Sequence, residues 1–221
     1  MSKDIFLSWS GGKDSALALY EIQKAHTHRI AALLTTVTED YDRISMHGVR
    51  RALLEQQAEA LALPLKKILI PKDSTNALYE SRMRALLEEG RREGIDTVAF
   101  GDIFLEDLKV YREKNLAQLG MKGLFPIWKR ETAELARTFI HLGFKAVLVC
   151  VDTALLDPAF AGRAYDEKLL RDLPANVDPC GENGEFHSFA FAGPIFKHPI
   201  NYTVGEVVQR DRFCFCDLAP A

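Results

Sequence analysis

Residues 5–20 of this 221-residue chain constrain its fold more than any other stretch. Ile5-Phe6-Leu7-Ser8-Trp9 is short and apolar, Ser10-Gly11-Gly12-Lys13-Asp14-Ser15 is polar with two adjacent glycines, and Ala16-Leu17-Ala18-Leu19-Tyr20 has the spacing of a helix packed on a sheet. Strand, glycine turn and helix in that order make an anion site. The glycines let the backbone turn sharply and bring bare amides to a ligand, while the helix start adds unpaired N–H groups and the positive end of its dipole. Ser10 and Ser15 supply hydroxyls, Lys13 a positive charge, and Asp14 a carboxylate able to hold Mg²⁺ between phosphates. The expected ligand is a polyphosphate. A glycine turn that binds nothing has no use for all four of these side chains at one helix start.

Two familiar phosphate loops do not fit. Walker A needs a glycine where Leu7 stands and Ser or Thr where Asp14 stands, and the dinucleotide fingerprint needs its first two glycines separated by one residue. Ser-Gly-Gly-Lys-Asp-Ser instead resembles the pyrophosphate-binding loop of the ATP pyrophosphatases, enzymes that cleave ATP between the α and β phosphates.

Strand and helix patterns alternate after this loop. Strands are predicted over 29–37, 65–70 and 97–100, and helices over 49–62, 77–93 and 105–120. This alternation implies right-handed crossovers and a parallel sheet covered on both faces, with ligands outside the carboxyl ends of the strands. Thr36, ending the second strand, is expected to hold adenine or ribose through backbone groups. Gly101 and Asp102, ending the fourth, are expected to face the same crevice; Asp102 reads equally as a helix N-cap. Residues 123–128 read as an edge strand because of Pro126. The chain is therefore expected to divide into a nucleotide-binding α/β domain over 1–128 and a smaller α+β domain over 129–221. In the latter, a helix at 132–142 and strands at 145–151, 186–191, 203–208 and 212–217 form a mixed or largely antiparallel sheet.

The formal net charge of −3 leaves no global basic field, so no DNA partner is expected. No apolar run reaches the roughly 20 residues that span a bilayer, and a cytoplasmic location is expected. Four cysteines make no disulfide pattern. Cys214 and Cys216 share a strand face without a nearby histidine and read as buried free thiols.

A second polar concentration, Asp178-Pro179-Cys180-Gly181-Glu182-Asn183-Gly184-Glu185-Phe186-His187-Ser188, runs from a turn into a strand. Glu185 and His187 alternate onto one strand face, where they can meet one substrate as acid, base or hydrogen-bond partner. The same stretch reads equally as an acidic hairpin turn.

Several of these motifs together resemble the diphthine ammonia ligase family, the diphthamide synthase domain of the ATP pyrophosphatases. They are the first loop, Met46-His47, Gly101-Asp102-Ile103, Arg112-Glu113, Pro126-Ile127-Trp128 and Gly181-Glu182-Asn183-Gly184-Glu185-Phe186-His187. Ile127 and Ser188 stand where that family usually has Leu and Thr. The resemblance implies a nucleotide-binding domain of the HUP type (adenine nucleotide alpha hydrolase) and a smaller domain carrying the second motif. It implies ATP-dependent adenylation of a carboxylate, that of diphthine on elongation factor 2, then amide formation with free ammonia and release of AMP and pyrophosphate. By matching positions, Ser10, Gly11, Gly12, Lys13, Asp14 and Ser15 bind phosphates and Mg²⁺, with Asp14 the metal ligand. His47, Gly101, Asp102 and Asn183 adjoin the nucleotide, Asp14, Glu182, Glu185 and His187 are catalytic, and Glu113 lies at the cleft. A tRNA-modifying ATP pyrophosphatase and a non-catalytic ATP sensor are the rival readings. A homodimer is compatible with all three.

Overall fold

A computed structural model describes residues 2–45 and 47–221, so Met46 of the quoted Met46-His47 pair lies outside the described residues. The first unit contains β1 (Lys3–Ser8), α1 (Lys13–Ala25), β2 (His28–Thr38), β3 (Arg43–Ile44), α2 (Arg51–Leu61), β4 (Leu65–Ile70), α3 (Asn76–Arg92), β5 (Thr97–Ala99), α4 (Glu106–Ala117) and β6 (Lys122–Leu124). Its strands lie in the order β4-β2-β1-β5-β6, all parallel, with β3 antiparallel to the end of β2. The order reverses at β1, which places the turn between β1 and α1 at the switch point where α/β sheets bind ligands. β6 ends before Pro126, and residues 125–128 form a turn rather than continuing the expected edge strand.

The second unit comprises α5 (Thr132–His141), β7 (Lys145–Asp152), α6 (Glu167–Asp172), β8 (Phe186–Ala192), β9 (Tyr202–Arg210) and β10 (Phe213–Pro220). The sheet order is β8-β7-β10-β9, and every pairing is antiparallel. Of the mixed or largely antiparallel arrangement expected, the antiparallel form is found. All four cysteines are buried and free. Burial pushes the thiols of Cys150 and Cys180 up to about 12, so they stay neutral and unreactive.

The helices divide between two apolar layers. α3 and α4 set Leu87 and Leu116 against Phe6, Leu34, Val98 and Phe100 on one face of the parallel sheet. α1 and α2 cover the other face, and that layer runs on into Val147, Phe189 and Leu218 of the second sheet. The continuous layer brings β8 against the loop before α1. Among the described residues no helix is long and apolar enough to cross a membrane.

Candidate active site

The glycine loop is fixed from beneath by one buried side chain. Gln57, fully buried on α2, accepts a hydrogen bond from Trp9 Nε1 (3.0 Å) and donates to the carbonyls of Gly11 (2.9 Å) and Ala190 (2.6 Å). The Ala190 amide of β8 also donates to the Gly11 carbonyl (2.8 Å). Gly11 has a φ of +78°, and a Cβ there would lie 2.7 Å from Gln57 Oε1, so the position excludes other residues on both counts. The start of α1 carries no side-chain cap. The Gly12 amide donates to Ser10 Oγ (3.3 Å), and the Lys13 amide donates to Ser188 Oγ on β8 (3.1 Å). Hydroxyls thus occupy the positions in which these amides would receive an anion.

Lys13 is turned inward, its side chain 4% exposed. Its ammonium donates to both oxygens of Asp14 (2.8 Å each) and to the Cys180 carbonyl, beside the rings of Tyr165 and Phe186. Burial opposes the charge, but Asp14 and Glu182 more than restore it, so the Lys13 pKa lies above its ordinary value. The ammonium is committed within the protein, unlike the free phosphate contact expected from the sequence. Asp14 remains 31% exposed at the cleft. Ser15 Oγ donates to the Gly12 carbonyl (2.9 Å) and lies 3.3 Å from Ser10 Oγ.

The second motif closes over this loop. Glu182 Oε1 accepts from the amides of Ile103 (2.7 Å) and Phe104 (3.3 Å), joining the turn to the segment after β5. Burial raises the Glu182 carboxyl to about 7, with the nearby Asp14 charge adding and the two amides opposing. Glu185 does something else. It is 3% exposed, with Oε1 accepting from Asp178 N and Asn183 Nδ2 and Oε2 from Asn183 N, each at 3.0 Å. It braces its own turn, whereas Glu182, Asn183 and His187 are the members of the motif that line the cleft. Asn183 reaches the cleft from that turn. His187 does line the cleft, its ring tilted by 31° against that of His47 with centroids 4.5 Å apart. Burial, then the Lys13 charge, lowers His187 to about 4; burial and His187 hold His47 well below its ordinary value. Both imidazoles are neutral, and His47 Nδ1 is buried with no hydrogen-bond partner among the described residues.

The first motif lines one side of a cavity of about 430 Å³, and Glu182, Asn183 and His187 line the other. A family model for the diphthamide synthase N-terminal domain matches residues 3–123, and one for the C-terminal domain matches residues 131–219. The chain belongs to the diphthamide synthase family. Diphthine–ammonia ligases of cattle, mouse and the fission yeast Schizosaccharomyces pombe are 27%, 29% and 28% identical to it, each alignment covering 95% of this chain. The aligned part is 86% of the cattle and mouse proteins and 38% of the yeast one. The resemblance read from the motifs is borne out, and the chain is an enzyme of this ligase family.

Against that family background the remaining expected positions sort clearly. Gly101 and Asp102 both line the cleft, and Gly101 is required by a close approach to the first turn of α1, since a Cβ there would meet the Asp14 backbone at 2.8 Å. Asp102 is paired with Arg112, Nε to Oδ2 at 2.6 Å and Nη2 to Oδ1 at 3.1 Å, and Leu105 rather than Asp102 precedes the first residue of α4. Thr36 is not on the cleft wall: it lies beside Tyr79 of α3, and its carbonyl accepts from Ser45 N (3.1 Å). Glu113 pairs with Lys109 along α4, and its neighbour Arg112 reaches the cleft instead. Sequence reasoning missed Gln57, whose one signal is a polar residue on the apolar stripe of α2. It also missed the pair of Asp152 and Arg212, for which no local signal exists. Among the described residues no group of three or more His, Cys, Asp or Glu side chains is placed to hold a metal. Asp14, the expected metal ligand, lines the cleft with both carboxylate oxygens accepting from Lys13.

Proposed function

We propose that this protein is an ATP-dependent ligase that adenylates the carboxylate of diphthine on elongation factor 2 and converts it to the amide with free ammonia, releasing AMP and pyrophosphate. The observation that carries the reading is the junction of the two motifs, where the Lys13 amide of the phosphate loop is hydrogen-bonded to Ser188 of the Gly-Glu-Asn-Gly-Glu-Phe-His-Ser strand. Phosphate and acceptor chemistry meet there within hydrogen-bonding distance. The names of the relatives support the acceptor and ammonia, and we place the division between nucleotide and acceptor domains at 128–129.

In this reading pyrophosphate leaves onto the Gly12 and Lys13 amides at the start of α1, displacing the Ser10 and Ser188 hydroxyls that now occupy them. Mg²⁺ held by Asp14, when bound, would neutralise charge that develops on the departing phosphates. Adenosine occupies a second cavity of about 380 Å³ between α3 and α4, which shares Ser8, Phe100 and Arg112 with the cleft. Tyr79, Tyr111 and Met83 give it apolar walls, and Glu80 and Asn115 give it polar edges able to read a base. Ammonia then attacks the acyl adenylate, and the carboxylate of Glu182 takes the proton lost from nitrogen. A carboxyl near 7 suits this task better than an imidazole near 4. Neutral His187 and His47 accept hydrogen bonds from the incoming ammonia without holding its proton.

Incubation with ATP, Mg²⁺, ammonium and diphthine-bearing elongation factor 2 should give AMP and pyrophosphate in proportion to amide, and none without ammonium beyond a single turnover. ADP and phosphate as products would contradict the reading. ATP bound but unconsumed in that mixture would identify a sensor.

A further inference from the structure

Three ion pairs stand on the cleft wall, and they differ in how much of the cation reaches solvent. Lys13 with Asp14 has side-chain exposures of 4% and 31%, Arg112 with Asp102 of 23% and 12%, and Arg212 with Asp152 of 61% and 1%. Arg212 is thus the open cation among the described residues of the cleft. It stands on the turn between β9 and β10, where its carbonyl accepts from both the amide and the hydroxyl of Thr153 (2.8 Å each). Its Nη2 donates to Asp152 Oδ2 at the end of β7, while Asp152 Oδ1 accepts from Ala154 N (3.1 Å). Backbone and head group are therefore both tied to the end of β7, and Nη2 alone is used in doing so. A carboxylate buried to this degree is costly to desolvate, and an ion pair made from it is weak evidence for stability. Its result here is a guanidinium held at the cleft lining, over the Phe213 ring (5.3 Å), with only Nη2 engaged.

We infer that Arg212 receives the carboxylate of the acceptor, with Asp152 as its positioning residue. The inference rests on the amide-ligase reading above and adds the group that recognises the nucleophile. A carboxylate must approach the α phosphorus of a polyanion, and the approach is repulsive unless a cation accompanies it. Lys13 is itself enclosed, and Arg112 gives both Nε and Nη2 to Asp102, whereas Arg212 gives Nη2 alone. Arg212 stands at the end of the sheet that carries His187 and lines the same cleft as Glu182, Asn183 and His187, the residues read as the acceptor side. The planar fork of arginine fits a carboxylate through two parallel hydrogen bonds, which a lysine cannot reproduce.

Arg212→Lys keeps Asp152 paired and removes the fork, and the Asp152→Asn/Arg212→Gln double variant removes the pair without stranding a buried charge. Each would be measured for ATP binding at equilibrium and for AMP formation against the concentration of diphthine-bearing elongation factor 2. The expected result is a rise in the acceptor KM of roughly tenfold to a hundredfold, the value of one charge-assisted contact, with the ATP dissociation constant unchanged. An unchanged acceptor KM in both variants, with wild-type protein active, overturns the inference alone. Weakened ATP binding in Arg212→Lys overturns it in favour of a phosphate contact. Wild-type protein that forms no AMP overturns the ligase reading and this inference together.

Discussion

Replacing Gln57 with leucine is expected to destabilise the protein by about 3 kcal/mol or more and to weaken ATP binding at a loop whose ligand this side chain never touches. Leucine fills similar space, so little of the loss comes from a cavity. Three buried polar partners lose their hydrogen bonds instead: Trp9 Nε1 and the carbonyls of Gly11 and Ala190. Each unsatisfied group costs about 1–3 kcal/mol, with the Gly11 carbonyl partly compensated by the Ala190 amide. Gly11 is held at a φ of +78° by these contacts, and without them the amides of the loop lose their common aim. Chemical denaturation and equilibrium ATP binding on the same variant would check both halves. A variant that is less stable yet binds ATP as the wild type does would show that Gln57 supports the core and not the loop.

Glu182→Gln is expected to lower amide formation by about 10²–10⁴-fold, the usual contribution of a positioned proton acceptor. At a fixed concentration of free ammonia, wild-type activity should rise with pH through about 7, because the carboxyl must be ionised to accept the proton from nitrogen. That limb should vanish in Glu182→Gln and persist in His187→Gln, since an imidazole near 4 is already neutral across the range. Stability moves in the opposite direction. The folded value of about 7 lies above the ordinary 4.5, so the folded protein holds this proton more tightly than the unfolded chain. The stabilising contribution of Glu182 is fully present below about 4.5 and is lost as pH rises through about 7. Glu182→Gln should flatten that part of the stability profile. Rate and stability profiles across pH 5–8 test the assignment, and a limb that follows His187 instead would refute it.

What can be read from the sequence here follows how local the information is. The phosphate loop is legible because strand, glycines and helix start are contiguous. β4 is legible to the residue because Pro64 and Pro71 bound a short β-rich run. The inward turn of Glu185 has a definable reason. Alternation assigns faces only inside a strand, and Glu185 lies one residue before β8, where the turn directs its carboxylate back onto Asp178 and Asn183. Thr36 is on a strand, but what its face meets is decided by the crossover that brings Tyr79 over it. Lys13 belongs to the loop by sequence, yet its long side chain follows Asp14 and the Cys180 carbonyl into the interior. The pairing of Asp152 with Arg212 joins a strand end to a turn 60 residues later through their tertiary neighbours, and no period or motif announces it.

The most direct test of the central claim follows an oxygen atom. If the acceptor carboxylate attacks the α phosphorus and ammonia then displaces AMP, one carboxylate oxygen must leave as a phosphate oxygen of AMP. Diphthine-bearing elongation factor 2 labelled with oxygen-18 in that carboxylate, turned over with ATP and ammonium, should yield AMP carrying one labelled oxygen and pyrophosphate carrying none. Label in pyrophosphate or inorganic phosphate, or amide formed with unlabelled AMP, would contradict an acyl adenylate in this cleft.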